Sequence, residues 1–147
     1  MFKNILFPTD GSRFSMEAAC RVVELAKVAG ARLTILHVMT DHPVCYTRNG
    51  HLFNSLPAGT FGKLKESKGQ EILNSVAELC RQKGVECTEV AHIHDAIYKA
   101  IIDTAALHDC DLIFMAAHGF SGVGALLLGS ETNKVLVHSK RPVLIYR

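Results

Sequence analysis

The chain has 147 residues, 48% of them hydrophobic and 20% charged, and 16 Lys and Arg against 14 Asp and Glu leave a net charge of +2. That length suits one domain over residues 1–147, able to bury about 70% of the surface of its unfolded chain without a metal or disulfide staple. The balanced charge, with no Lys or Arg run, excludes a nucleic-acid binder built on phosphate neutralisation, and no apolar run approaches the ~18 residues of a membrane span.

In chain order, short β-rich runs alternate with longer stretches of helical period. The first run, Phe-Lys-Asn-Ile-Leu-Phe over residues 2–7, stops at Pro8. With Lys3 inside it and Asp10-Gly11 close behind, this start lacks the basic head, long apolar stretch and cleavage site of a signal peptide, so a cytoplasmic protein is expected. A helix is predicted over residues 12–29, where Ala18, Val22, Leu25 and Ala29 recur at helical spacing. Ser12 can cap it and Gly30 can end it. Residues 33–39 read as a second strand. From Thr40 to about Gly62 the chain is irregular and rich in Pro, Gly, Asn, His and Thr. A loop of about 20 residues in a compact domain is often a lid or binding segment, though an insertion without a role reads the same way.

A second helix is predicted over residues 64–83, with Ile72, Leu73, Val76, Leu79 and Cys80 inward and Gly84 at its end. Residues 85–93 read as a third strand. Asp95 can cap a third helix whose inner face is Ile97, Ala100, Ile101, Thr104 and Ala105. A strand over residues 111–115, a helix starting near Ser130 and a last strand, Pro142 to Tyr146, complete the chain. This strict β-α alternation implies an α/β fold, its mostly parallel sheet covered on both faces and joined by right-handed crossovers.

Open α/β sheets bind ligands beyond the carboxyl ends of their strands, which singles out two loops. Pro8-Thr9-Asp10-Gly11-Ser12 follows the first strand; Asp10 there reads equally as a ribose-hydroxyl acceptor or as a turn aspartate bonding Ser12 or Arg13. The other loop begins Ala116-Ala117-His118-Gly119, continues through Gly122 and Gly124, and reaches Gly129-Ser130-Glu131-Thr132 at a helix start. Glycines let backbone approach phosphate oxygens, and the first N–H groups of the helix make an anion site to which Ser130 and Thr132 can add hydroxyls. Glu131 suits the dipole of that helix but opposes a phosphate. No Gly-Lys-Ser/Thr follows, so this is not the common phosphate loop.

The remaining polar signals are weaker. The five cysteines, Cys20, Cys45, Cys80, Cys87 and Cys110, are scattered without a C-x-x-C and read as reduced thiols, Cys20 and Cys80 on inward helix faces. His92 and His94 share a strand face, a candidate metal pair lacking an evident third ligand, and His37 reads as a core-edge histidine. Ser12 and Ser130 lack an assignable base, so no nucleophile is identified.

Together, residues 2–12, Leu36-His37-Val38, Cys110-Asp111-Leu112-Ile113-Phe114-Met115, Leu128-Gly129-Ser130 and Arg141-Pro142-Val143-Leu144-Ile145 resemble the universal stress protein family. The resemblance covers the whole chain, each piece falling at the family's place in the β-α order. It implies a three-layer α/β/α, Rossmann-like fold with a five-stranded parallel sheet of order 3-2-1-4-5, and a cytoplasmic homodimer acting in the stress response. One branch of the family binds ATP through G-x2-G-x9-G-S/T. Gly119, Gly129 and Ser130 match that pattern, while Ala116 stands for its first glycine.

By this resemblance Pro8, Thr9 and Asp10 line the adenosine side, with Asp10 on the ribose, and the Val38 backbone meets the adenine edge. Met115, Ala116, His118, Gly119, Gly129, Ser130, Glu131 and Thr132 surround the phosphates of ATP or AMP, with or without Mg²⁺. His118, Arg13 and Lys134 are the nearest cations. The expected protein is a nucleotide-binding regulator rather than an enzyme; a nucleotide-free dimeric module and a weak ATPase are the alternatives. The dimer is expected to form through the last strand, apolar on both faces and left as a sheet edge.

Overall fold

The computed structural model describes residues 1–40, 60–117 and 128–147. Its chain order is β1 (Asn4–Pro8), α1 (Arg13–Ala29), β2 (Arg32–Met39), α2 (Thr60–Lys83), β3 (Cys87–Ile93), α3 (Ile97–Leu107), β4 (Leu112–Ala116), α4 (Ser130–His138) and β5 (Val143–Tyr146). The strands pair in the order β3-β2-β1-β4-β5, every pair parallel, as the resemblance implies. The unbroken apolar run of β1 follows from its place at the centre, where Ile5, Leu6 and Phe7 are fully buried. Ile5 and Phe7 pack with Ala18, Val22 and Ala26 of α1 and Leu73, Val76 and Cys80 of α2. Leu6 faces the opposite way, against Ala100 and Ile101 of α3 and Val135 of α4. Each large apolar side chain withdrawn from water contributes about 1.5–3 kcal/mol. An exposed pair such as Arg21–Glu24, 3.2 Å apart, contributes about 0–1 kcal/mol. Burial on both sheet faces therefore sets the fold.

The helix boundaries follow local chemistry. Ser12 caps α1, its hydroxyl accepting from Ser15 N, and Gly30 ends the helix in the left-handed conformation. Gly84 does the same for α2 at φ 69°, and there the structure corrects the expected strand start. Gly84 N and Val85 N donate to Arg81 O and Cys80 O, which commits this backbone to closing the helix, so β3 begins at Cys87 rather than residue 85. β4 likewise begins at Leu112 rather than Asp111, whose carboxylate accepts from Lys3 N and Asn4 N while its own N–H donates to Asn4 O. Helix α2 starts at Thr60, so residues 60–62 belong to it and not to the long loop; residues 41–59, Cys45 among them, lie outside the described residues.

Two further expectations are corrected. Cys20 is exposed. It lies one turn from Glu17 and one from Glu24, on the charged stripe of α1, while Ala19, Val22 and Val23 point inward. Asp95 does not cap α3: the N-cap position is Ala96, which makes no side-chain cap bond. Cys80 is buried as expected, and burial pushes its thiol up to about 12, with Cys87 beside it adding to the shift. It is an inert core group at neutral pH.

Candidate functional site

Beyond the carboxyl ends of the two central strands the chain leaves in different directions. From β1 it enters α1 on one face of the sheet, and α4, which follows β4 in the chain, lies on the other. A cleft opens between these exits, with about 640 Å³ of empty space including the part open to solvent. Its polar rim on one side is Pro8, Thr9, Asp10 and Ser15. Its apolar wall is Leu36 and Val38 of β2, Ile97 and Ile101 of α3, and Met115 of β4. Its far end is Ala116 with Gly129, Ser130, Glu131 and Thr132. The described residues implied by the resemblance thus all meet in one cleft. His118 and Gly119 lie outside the described residues.

Thr9 fixes the first loop. Its N–H donates to Leu36 O at 2.8 Å, its hydroxyl shares a 2.8 Å bond with Ser15, and Gly11 N donates to the same Oγ1 at 3.2 Å. His37, buried as expected, holds the loop from below: its Nδ1 donates to Thr9 O at 2.9 Å, because a carbonyl can only accept. Asp10 Oδ1 accepts from Ser12 N at 2.9 Å, so its turn role is real. One N–H leaves most of a carboxylate's acceptor capacity unused, and Asp10 also lines the cleft. Gly11 completes the turn at φ 74°, where an added Cβ would meet Ile72 Cγ1 of α2 at 2.6 Å.

The far end is clamped to β4. Gly129 N donates to Ala117 O at 2.8 Å, and Thr132 Oγ1 donates to Ala116 O at 3.2 Å. The Thr132 hydroxyl is thereby engaged with backbone rather than offered to a ligand. The first intrahelical bond runs from Asn133 N to Gly129 O, so the N–H groups of Ser130, Glu131 and Thr132 are those an α-helix leaves without an intrahelical partner. Ala116 ends β4 paired with Tyr146. Asp109 is the one non-glycine with positive φ among the described residues, so a methyl at position 116 carries no backbone strain.

Glu131 turns out to be a brace between helices. Oε2 accepts from Tyr98 N at 2.9 Å, capping α3 from α4 in place of Asp95, and Oε1 lies 3.1 Å from Lys134 Nζ. Lys134 also sits 5.6 Å from the Tyr98 ring centroid. Of the other proposed cations, Arg13 points to solvent and pairs with Glu17 at 3.5 Å. His92 and His94 do share a face, with ring centroids 5.7 Å apart. No group of three or more metal-ligating side chains occurs among the described residues.

Sequence reasoning missed Ser15, Leu36, Ile97 and Ile101 as lining residues. Leu36 is two before Val38 and so on the same strand face, a signal present in the sequence. Ile97 and Ile101 were readable only as core, because their i,i+4 spacing does not tell that this first turn overhangs the cleft.

A sequence model of the Universal stress protein family matches residues 1–147. The chain belongs to the universal stress protein family. A universal stress protein of Methanocaldococcus jannaschii is 31% identical over 152 residues, covering 100% of this chain and 83% of its own. A solved universal stress protein in complex with cAMP is similar at a TM-score of 0.72 and 22% identity, over 99% of this chain and 97% of that one. Another, from Archaeoglobus fulgidus in complex with dAMP, is similar at a TM-score of 0.66 and 16% identity, over 100% and 98%. Among the described residues of this family member, no helix is long and apolar enough to cross a membrane.

The brace gives a stability prediction. Glu131→Ala strips the cap from α3 and should lower the unfolding free energy by about 0.5–2 kcal/mol in urea. Glu131→Gln keeps an acceptor for Tyr98 N and should stay within about 0.5 kcal/mol of wild type.

Proposed function

We propose that this universal stress protein is a regulatory protein of the stress response that takes an adenine nucleotide, AMP or ATP, in the cleft between β1 and β4. One observation carries the reading: an apolar slot with a carboxylate at one end opens at its other end onto a helix N-terminus. Adenine suits the wall of Leu36, Val38, Ile97, Ile101 and Met115, with the backbone of Val38 along its edge. Asp10 accepts from the ribose hydroxyls beside Pro8 and Thr9. Phosphate lies at the start of α4, against Gly129, Ser130, Glu131 and Thr132, where N–H groups and helix dipole favour an anion. Met115 and Ala116 floor this end, and the motif adds His118 and Gly119. The cAMP and dAMP complexes of similar proteins support the choice of adenine. Of the two carboxylates in the lining, Glu131 has both oxygens engaged, so the residues present do not make a two-carboxylate Mg²⁺ site.

Binding is checked by thermal shift. AMP at a hundredfold over its dissociation constant stabilises by about 2.7 kcal/mol, which at about 2–4 °C per kcal/mol raises Tm by about 5–10 °C. Gly129→Val should abolish the shift, since even a bare Cβ there lies 3.3 Å from Ala117 O and the rest of the side chain fills the slot. Circular dichroism of the ligand-free variant must show it folded. No shift in the wild type would favour the nucleotide-free module.

The reading includes a homodimer through β5, one of the two edge strands of the sheet. Val143 and Ile145 pack into the core against α3 and α4, whereas Leu144 is 37% exposed. Leu144 is therefore the residue to charge without disturbing the fold. Leu144→Lys should convert a dimer to a monomer in sedimentation velocity; an unchanged dimer mass would remove the β5 interface.

A further inference from the structure

We infer that the cleft selects its nucleotide by charge, and that Glu131 makes it a site for adenylates with a single phosphate group, cyclic or open, in preference to ATP. This rests on the adenine-nucleotide reading above. The described lining residues include two acids, Asp10 and Glu131, and no Lys, Arg or His. A triphosphate brings about four negative charges and needs cations to offset them. Of the candidates among the described residues, Arg13 is turned to solvent beside Glu17 and Lys134 is held 3.1 Å from Glu131 itself, while His118 lies outside them. The sequence between β4 and α4, residues 118–127, contains no Lys or Arg, and its one basic side chain is His118.

Among the described residues, what remains for phosphate is the N-terminus of α4, whose partial charge is about +0.5. That suffices for one phosphate group and falls short for three. Glu131 opposes each further group in two ways. Its side chain is only 27% exposed, so its own charge at the cleft is incompletely screened by solvent. It also ties up the ammonium of Lys134, the cation one turn further along α4. Its geometry leaves little room to swing aside, since Oε2 is bound to Tyr98 N at the start of α3. A like charge placed against the unwanted ligand is an established physical route to specificity.

The experiment is calorimetric titration of the full chain with AMP, cAMP and ATP, the last with and without Mg²⁺, on the wild type and Glu131→Gln. Glutamine keeps the acceptor for Tyr98 N, so the cap survives while the charge is removed and Lys134 is released. In the wild type AMP and cAMP should bind at least about tenfold more tightly than metal-free ATP, and Mg²⁺, which offsets part of the triphosphate charge, should narrow that difference. Glu131→Gln should tighten ATP about tenfold while moving AMP far less, and the wild-type preference should shrink at high salt. Metal-free ATP binding as tightly as AMP in the wild type would overturn charge selection and leave the nucleotide reading standing. So would a Glu131→Gln protein with an unchanged AMP-to-ATP ratio. No binding of any of the three would overturn the nucleotide reading, and this inference with it.

Discussion

The sheet is parallel throughout, and its two central strands must hand the chain to opposite faces. Right-handed crossovers carry β1 to its neighbour β2 through α1, and later carry β4 to β5 through α4, outward in the other direction. Backbone leaving two adjacent strands toward opposite faces cannot fill the space between them. The cleft is the result of this divergence. Central burial gives the divergence its rigidity: Ile5, Leu6 and Phe7 fix β1 from both sides, and the bonds of Thr9 carry that rigidity one residue past the strand.

The two exits are built differently. At β1 the loop is locked from inside, by Thr9 with Ser15 and by His37 beneath, and Asp10 turns the chain while lining the cleft. At β4 the first turn of α4 is tied to Ala116 and Ala117, and then through Glu131 to α3. The same acidic side chain that completes the packing of two helices also stands at the mouth of an anion-favouring helix end. Stability and the inferred ligand preference thus rest on one residue. An alanine there would loosen α3, and a glutamine would keep the fold while changing the electrostatics.

Most of the fold was legible in the chain because its signals are local. Ser12 and Gly30 mark the ends of α1 by their own backbone preferences, and the apolar Ile5-Leu6-Phe7 reads as a strand buried on both faces. The cleft was legible through Pro8-Thr9-Asp10 and Gly129-Ser130, whose residue types are tied to turns and helix starts. What escaped were partnerships across the fold. The cap of α3 comes from a residue 33 positions away, so Asp95 was the natural choice from its neighbourhood alone. Cys20 looked inward because its neighbours are apolar, yet Glu17 and Glu24 one turn either side set its stripe toward solvent. Ile97 and Ile101 carry identical core spacing whether or not a cleft lies beneath them.

The proposed placement of an adenine nucleotide, in the cleft with its phosphate at the start of α4, is read directly by amide chemical shifts on ¹⁵N-labelled protein. Titration with AMP should move the amides of Ser130, Glu131 and Thr132 together with those of Asp10 and Val38. The amides of Asn4, Arg32 and Cys87, at the opposite ends of their strands, should stay still. Perturbations confined to those opposite ends, or a titration that leaves Ser130 to Thr132 unmoved, would contradict the account.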